Sequence, residues 1–284
     1  MTDIPSGKVP VVECAVTSWR FFLENWLRFL PAAAIVGVIS GVAPALLVSG
    51  AQGAQAAFSD LAGFAVAAIA GVFFIAAVLR KAVRDEFHGP TGLSFGADET
   101  RLIGVLAAMG LLFIPPLFLF FILCAVILFG RIASTPEQLE TLAADQAALE
   151  RAFLEALSTP AGMVMQIVGL IFLIVLLVVS ARLVMVNAAT IGERKMVFFQ
   201  TWSWSKGNVL RIIAATILTA LPIALVNLIL SSILGGAGAT QTSLPAAMVI
   251  NSALSVIAAL GSIPSIALGA HLYKGLRPPD FAAK

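Results

Sequence analysis

Charge is what this sequence has least of: only 11% of its 284 residues are Asp, Glu, Lys or Arg, while 60% are hydrophobic. A soluble domain carries about 25% charged residues. So little polar surface cannot solvate a water-borne fold, and most of the chain must have hydrocarbon around it. Cysteine is nearly absent too. Cys14 and Cys124 make no disulfide framework and read as packed thiols. Histidine is limited to His88 and His271, far apart in sequence. His88 follows Asp85 and Glu86, which reads either as loop charge near a membrane surface or as a sparse metal cluster. No nucleophile elbow, phosphate loop or zinc-helix motif is present. The sequence therefore predicts no catalytic residue, metal, cofactor or nucleic-acid partner. The first 30 residues also lack a short apolar core followed by a small-residue cleavage site, so no removable signal peptide is expected.

What the sequence has instead is long apolar runs. A hydrocarbon layer about 30 Å thick needs roughly 20 apolar residues in a helix. Six stretches qualify: Phe29 to Gly50, Leu61 to Leu79, Leu102 to Phe129, Met163 to Ala181, Ile212 to Leu234 and Ala246 to Ala270. None contains Asp, Glu, Lys or Arg. Pro115-Pro116 predicts a kink in the third, and Pro44, Pro222 and Pro264 could kink others. The fold class is an all-α membrane protein of six transmembrane helices. Of the 17 basic residues, all but Arg131 and Arg151 fall in the N-terminal segment, the loops after the second and fourth helices, and the C-terminal tail. By the positive-inside rule both termini face the cytoplasm.

The six helices read as three hairpins, each preceded by an amphipathic segment. Trp19, Asn25 and Arg28 are spaced like Trp202, Asn208 and Arg211. Arg101, with Phe95 upstream, opens the third helix in a similar way. Even-numbered helices leave the membrane through Arg80-Lys81, Arg182, and Lys274 with Arg277. Tryptophan suits the headgroup level, and arginine can lay its stem on apolar surface while its charge reaches phosphate. Trp19, Arg28, Arg80, Arg101, Arg182, Trp202, Trp204, Lys206, Asn208 and Arg211 thus form a candidate ring. It either anchors the hairpins or binds lipid headgroups or a protein partner.

Three segments lie outside the spans. Residues 1–28 are expected to form a cytoplasmic interfacial helix. Val12, Ala15, Val16, Trp19, Leu23, Trp26, Leu27 and Leu30 make its apolar stripe, and Glu13, Thr17, Arg20 and Glu24 lie opposite, before a turn at Pro31. Between Arg182 and Arg211 a short interfacial helix is expected, its aromatics in the headgroups. Gly207 would stop it, and Asn208 would cap the fifth membrane helix. From about 135 to 158 an extracytoplasmic helix is expected, with Thr135, Pro136 and Gln138 as its start. It reads as a lid over the outer helix ends or as a partner-binding or gating element. The membrane bundle then covers 29–270, and 271–284 form a cytoplasmic tail. Asn227 and Asn251 are the most polar intramembrane residues and would bond across the fifth and sixth helices or line a substrate path. Gly37 and Gly41, with Gly63, Ala67 and Gly71, would let the first and second helices approach closely, within one chain or between two.

One pattern resembles a known family. Arg182 is followed by a short amphipathic stretch, then Trp202-Ser203-Trp204-Ser205-Lys206-Gly207-Asn208, then Arg211. The stretch from Gly92 through Phe95-Gly96-Ala97-Asp98-Glu99-Thr100 to Arg101-Leu102 is of the same kind. These residues look like the six-helix membrane domain attached to some glycerophosphodiester phosphodiesterases and its stand-alone bacterial relatives. The sequence departs from that pattern where Asn187 and Ala188 replace a proline after Arg182. The resemblance implies a bacterial inner-membrane protein. It does not imply phosphodiesterase chemistry, which belongs to a separate soluble barrel with metal-binding carboxylates, and no such barrel is expected here.

Two functions remain. One is a non-catalytic scaffold or accessory protein that binds membrane lipids, another membrane protein or a second copy of itself. The other is a transporter or flippase for a lipid-like or apolar solute, built on kinked helices with irregular backbone. A hydrated cavity reaching Asn227 or Asn251 would favour the second.

Overall fold

The computed structural model describes residues 8–48, 54–132, 145–238 and 244–278, and no strand occurs among them. Nine helices run in the order α1 (Val11–Val48), α2 (Ala54–Arg84), α3 (Ala97–Ile132), α4 (Gln146–Ser158), α5 (Pro160–Leu183), α6 (Val186–Glu193), α7 (Gln200–Trp204), α8 (Val209–Gly238) and α9 (Leu244–Leu276), counting the described residues. Six of them, α1, α2, α3, α5, α8 and α9, are long and apolar enough to cross a membrane. The chain is therefore an all-α, multi-pass membrane protein.

The long helices overshoot the hydrocarbon. At 1.5 Å per residue, the 38 residues of α1 extend about 57 Å, well beyond a layer of about 30 Å. The charges of α1, Glu13, Arg20, Glu24 and Arg28, all lie in its N-terminal part, and the run from Phe29 onward carries none, so only that run can cross the hydrocarbon. The expected turn at Pro31 is absent: α1 continues through Pro31 and Pro44. The interfacial helix and first span are one element. Helices also continue through Pro115-Pro116, Pro222 and Pro264.

The chain divides into two compact units, residues 1–105 with 181–284 and residues 106–180. In the first, α1 packs most extensively on α9 and next on α2, with α8 beside both α1 and α9. The buried face of α1 is Cys14, Ala15, Ser18, Asn25, Phe29, Ala32, Ala33 and Val36. Of the stripe read from the sequence, Val12, Val16, Leu23 and Leu27 face outward, whereas Ala15 is buried among small or polar residues. In lipid, apolar side chains are at no disadvantage outside, so packing selects for small side chains that let helices come close. Phe29 anchors the core edge-on to Phe74 and Phe87 at 6.3 and 5.6 Å.

Gly37 and Gly41 serve a different neighbour from the one expected. They meet Val256 and Ser252 of α9, not α2. Gly71 has open space around its α-carbon.

In the second unit, α3 and α5 meet through Phe120 stacked on Phe172 at 4.4 Å. Asp145 caps α4, its Oδ1 accepting from the Ala147 and Ala148 amides. The expected start at Thr135, Pro136 and Gln138 lies outside the described residues. The helix itself is present through Ser158.

A candidate headgroup site at the basic end

Where α1 begins, α2 ends, α3 begins and α9 ends, the first unit carries a charged, well-packed layer. Its core is α6, which the sequence did not reveal. Val186, Ala188, Ala189, Thr190 and Ile191 of this helix are all buried. Polar ties fix it on several sides. Arg84 donates to the Ile191 carbonyl at 3.3 Å. Tyr273 donates its hydroxyl proton to Glu193 at 2.6 Å, and Arg277 pairs with the same carboxylate at 2.7 Å. Lys274 reaches the Ala82 carbonyl at 2.8 Å, joining α9 to α2. A run such as Val186-Asn187-Ala188-Ala189-Thr190 has neither the length of a span nor an amphipathic period, which is why it escaped notice.

The expected ring residues divide into three groups. Arg182 and Trp202 are brought together. The guanidinium donates to the Trp202 carbonyl at 3.0 Å and lies 5.1 Å from the centre of its ring. In the same stretch of sequence Lys206 and Arg211 are exposed, and so are Met196, Phe199 and Leu210. Arg28 is exposed on α1.

A second group is turned inward. Trp19 donates its indole N–H to the Thr219 carbonyl of α8 at 3.2 Å, and so ties two helices together. Trp204 is buried, its ring 6.2 Å from that of Tyr273. Asn208 is buried and its Oδ1 accepts the Val9 amide at 3.0 Å. Gly207 does make the turn into α8, with φ +80°. The two matching stretches are built differently. Trp19 to Arg28 is unbroken helix, whereas Trp202 to Arg211 bends at Gly207.

The third group forms a cavity at the α2–α3 junction. Arg80 was expected at the rim but is 1% exposed. It pairs with Glu99, itself 1% exposed, and donates to the Gly92 carbonyl at 3.0 Å. Gly92 has φ +73°, a conformation that suits glycine, and a side chain there would strike the Phe87 ring. Arg84 pairs with Asp98 and, at 3.1 Å, with Glu86. Arg194 adds to Glu86 at 3.3 Å and Arg101 to Asp98 at 3.2 Å. The acids sit well on electrostatic grounds too, because Asp98 and Glu99 occupy the first turn of α3, where the helix dipole is positive. Outside the cavity, Lys81 holds Asp85 at 2.5 Å, and that hydrogen bond and charge set the Asp85 carboxyl below the usual carboxylate range.

The cavity measures about 620 Å³. Four arginines and three carboxylates line it, with His88 and Ser94. Two deep atoms, Arg80 Nε and Glu99 Oε2, have no hydrogen-bond partner in the protein. Among the described residues no three His, Cys, Asp or Glu side chains converge as a metal site would need, and His88 lines the cavity.

A smaller cavity of about 250 Å³ lies between α2, α6 and α9. Asn187, Ser262 and Ser265 supply its polar edge, and Asn187 Oδ1 is unpartnered. Asn227 and Asn251 lie elsewhere. Both are exposed on their helices, and no hydrogen bond joins them among the described residues. Comparison of the chain with protein-family models, with curated proteins and with solved structures gave no match.

Proposed function

We propose that this chain is a non-catalytic membrane scaffold or accessory protein that binds phospholipid, or a membrane protein partner, at its basic end. The supporting observation is the pairing of Arg182 with the exposed Trp202, in a stretch of chain that also exposes the cations Lys206 and Arg211 and the apolar Met196, Phe199 and Leu210. Indole rings and guanidinium groups share a preference for the depth at which phosphate meets hydrocarbon. Under this reading the basic end faces the cytoplasm of a bacterial inner membrane, and kinship with the phosphodiesterase-linked membrane domain is part of the proposal. Transport ranks second, because the cavity between α2, α6 and α9 lies by Asn187 and not by Asn227 or Asn251.

The test is a triple variant, Trp202→Ala with Lys206→Gln and Arg211→Gln. None of the three side chains is buried. Juxtamembrane cations contribute about 1 kcal/mol each towards an anionic surface. The variant should insert normally but co-purify with severalfold less anionic phospholipid, measured by mass spectrometry of extracted lipid. Unchanged lipid in an inserted variant would reduce the rim to a passive anchor.

A further inference from the structure

We infer that the cavity at the α2–α3 junction takes a phospholipid headgroup bearing both a phosphate and an N–H donor, that of an aminophospholipid. The inference rests on the lipid-binding reading above and names a specific site within it.

Four observations lead to it. The first is unused donor capacity at the cavity mouth. Arg101 gives one terminal nitrogen to Asp98 and Arg194 one to Glu86, which leaves further N–H groups on each guanidinium. Arg194 is 67% exposed at its side chain. Guanidinium groups with a free edge are strong phosphate partners. The second is unused acceptor capacity at the base. Glu99 Oε2 is buried and unpartnered, and leaving a buried carboxylate oxygen without a donor is costly. An ammonium satisfies it, a glycerol hydroxyl does so less strongly, and a trimethylammonium has no N–H to offer.

The third is the wall. Phe95 lines the cavity yet is 80% exposed, with its ring 6.0 Å from that of Phe73 on the span of α2. A bare aromatic beside a charged cleft fits a molecule that is polar at one end and apolar at the other. The fourth is the backbone of Arg194. It closes α6 in the left-handed conformation, φ 51° and ψ 29°, where glycine carries the least strain. An arginine held there at a conformational cost is consistent with a use for its side chain.

The binding is a matter of recognition and involves no covalent step. Phosphate would engage Arg101 and Arg194 at the mouth, and the amine would sit deeper, towards Glu99. Four arginines against three carboxylates leave a site suited to an anionic phosphate with a compensating ammonium.

The experiment uses the full chain in lipid discs of equal phosphatidylethanolamine, phosphatidylglycerol and phosphatidylcholine, read by native mass spectrometry. The wild type should retain phosphatidylethanolamine over phosphatidylcholine. The double variant Arg101→Gln with Arg194→Gly removes the phosphate contacts and should retain about tenfold less phosphatidylethanolamine. Glycine at 194 relieves the backbone, so loss of fold is not the expected cause, and a matched unfolding midpoint confirms it. Equal retention of the three lipids by the wild type, or unchanged phosphatidylethanolamine retention in the variant, would overturn the inference. A second arm titrates glycerophosphoethanolamine into detergent-solubilised protein. Weak or absent binding of this free headgroup supports a lipid ligand, and binding as tight as that of the lipid overturns it in favour of a soluble phosphodiester. The rim triple variant separates the two levels. If it loses bulk anionic lipid but keeps phosphatidylethanolamine, both readings stand. If the rim has no effect while the cavity preference survives, the broader reading fails alone.

Discussion

Replacing Glu99 with alanine should destabilise the protein by about 3–5 kcal/mol, because it leaves the Arg80 guanidinium buried without its counter-charge. Both partners are almost fully enclosed by protein, so solvent and salt compensate little. The cost should be read by equilibrium unfolding in mixed micelles. A second variant identifies its origin. Arg80→Met with Glu99→Leu removes both charges and retains much of the volume, and such replacements of buried pairs are often neutral or stabilising. The double variant should therefore recover most of the loss. If Glu99→Ala unfolds like the wild type, the junction of α2 and α3 is not held by this pair. If the double variant is as weak as the single one, side-chain packing rather than uncompensated charge is responsible.

The second large effect is expected at Gly41. A β-carbon there would lie 2.5 Å from the Ser252 α-carbon and 2.6 Å from its Oγ, and would also meet the Ser252 amide nitrogen. These obstacles are mostly backbone, so α1 and α9 would have to separate. Overpacking of this kind costs about 1–3 kcal/mol, occasionally more. Gly41→Ala should reach that range and Gly41→Leu should exceed it. Gly71→Ala is the matched control. It meets nothing within 4 Å and gains helix propensity of up to about 1 kcal/mol, so it should be neutral or slightly stabilising. A Gly41→Ala protein as stable as the wild type would mean that α1 and α9 do not approach this closely.

The spans were legible because hydrocarbon imposes a simple rule on sequence. A helix in lipid must be long, apolar and uninterrupted, so Leu102 to Phe129 lies within α3 and Met163 to Ala181 within α5. Local chemistry was legible too. The glycine before Asn208 makes the predicted turn, and Arg182 meets Trp202. What the sequence concealed is how the helices face one another. In water an apolar stripe marks the core, but around α1 Val12, Val16, Leu23 and Leu27 face outward, while Ser18, Asn25, Ala32 and Ala33 face the bundle. Small size and modest polarity are weak signals in a chain that is alanine- and glycine-rich.

The charged cavity was hidden for a different reason. Arg80, Arg84 and Arg101 suit the headgroup level by position, and basic residues near spans commonly serve there. The clue lay in their neighbours. Glu86, Asp98 and Glu99 stand in the same short stretch and match the cations almost one for one. Opposite charges crowded on both sides of a glycine-containing connection point to pairing across the turn before they point to lipid. The separation of paired from unpaired guanidinium groups needed the fold: Arg80 inside, Arg194 at the mouth, Arg211 on the rim.

The central claim, that the basic end meets phospholipid headgroups, has a direct measurement. A protein with Trp19, Trp26 and Trp204 replaced by phenylalanine reports only Trp202. Reconstituted into bilayers brominated at successive acyl positions, its fluorescence should be quenched most by bromine nearest the glycerol backbone and little by bromine near the bilayer centre. Fluorescence untouched by brominated lipid yet readily quenched by aqueous iodide would place this end in water, away from headgroups, and contradict the account.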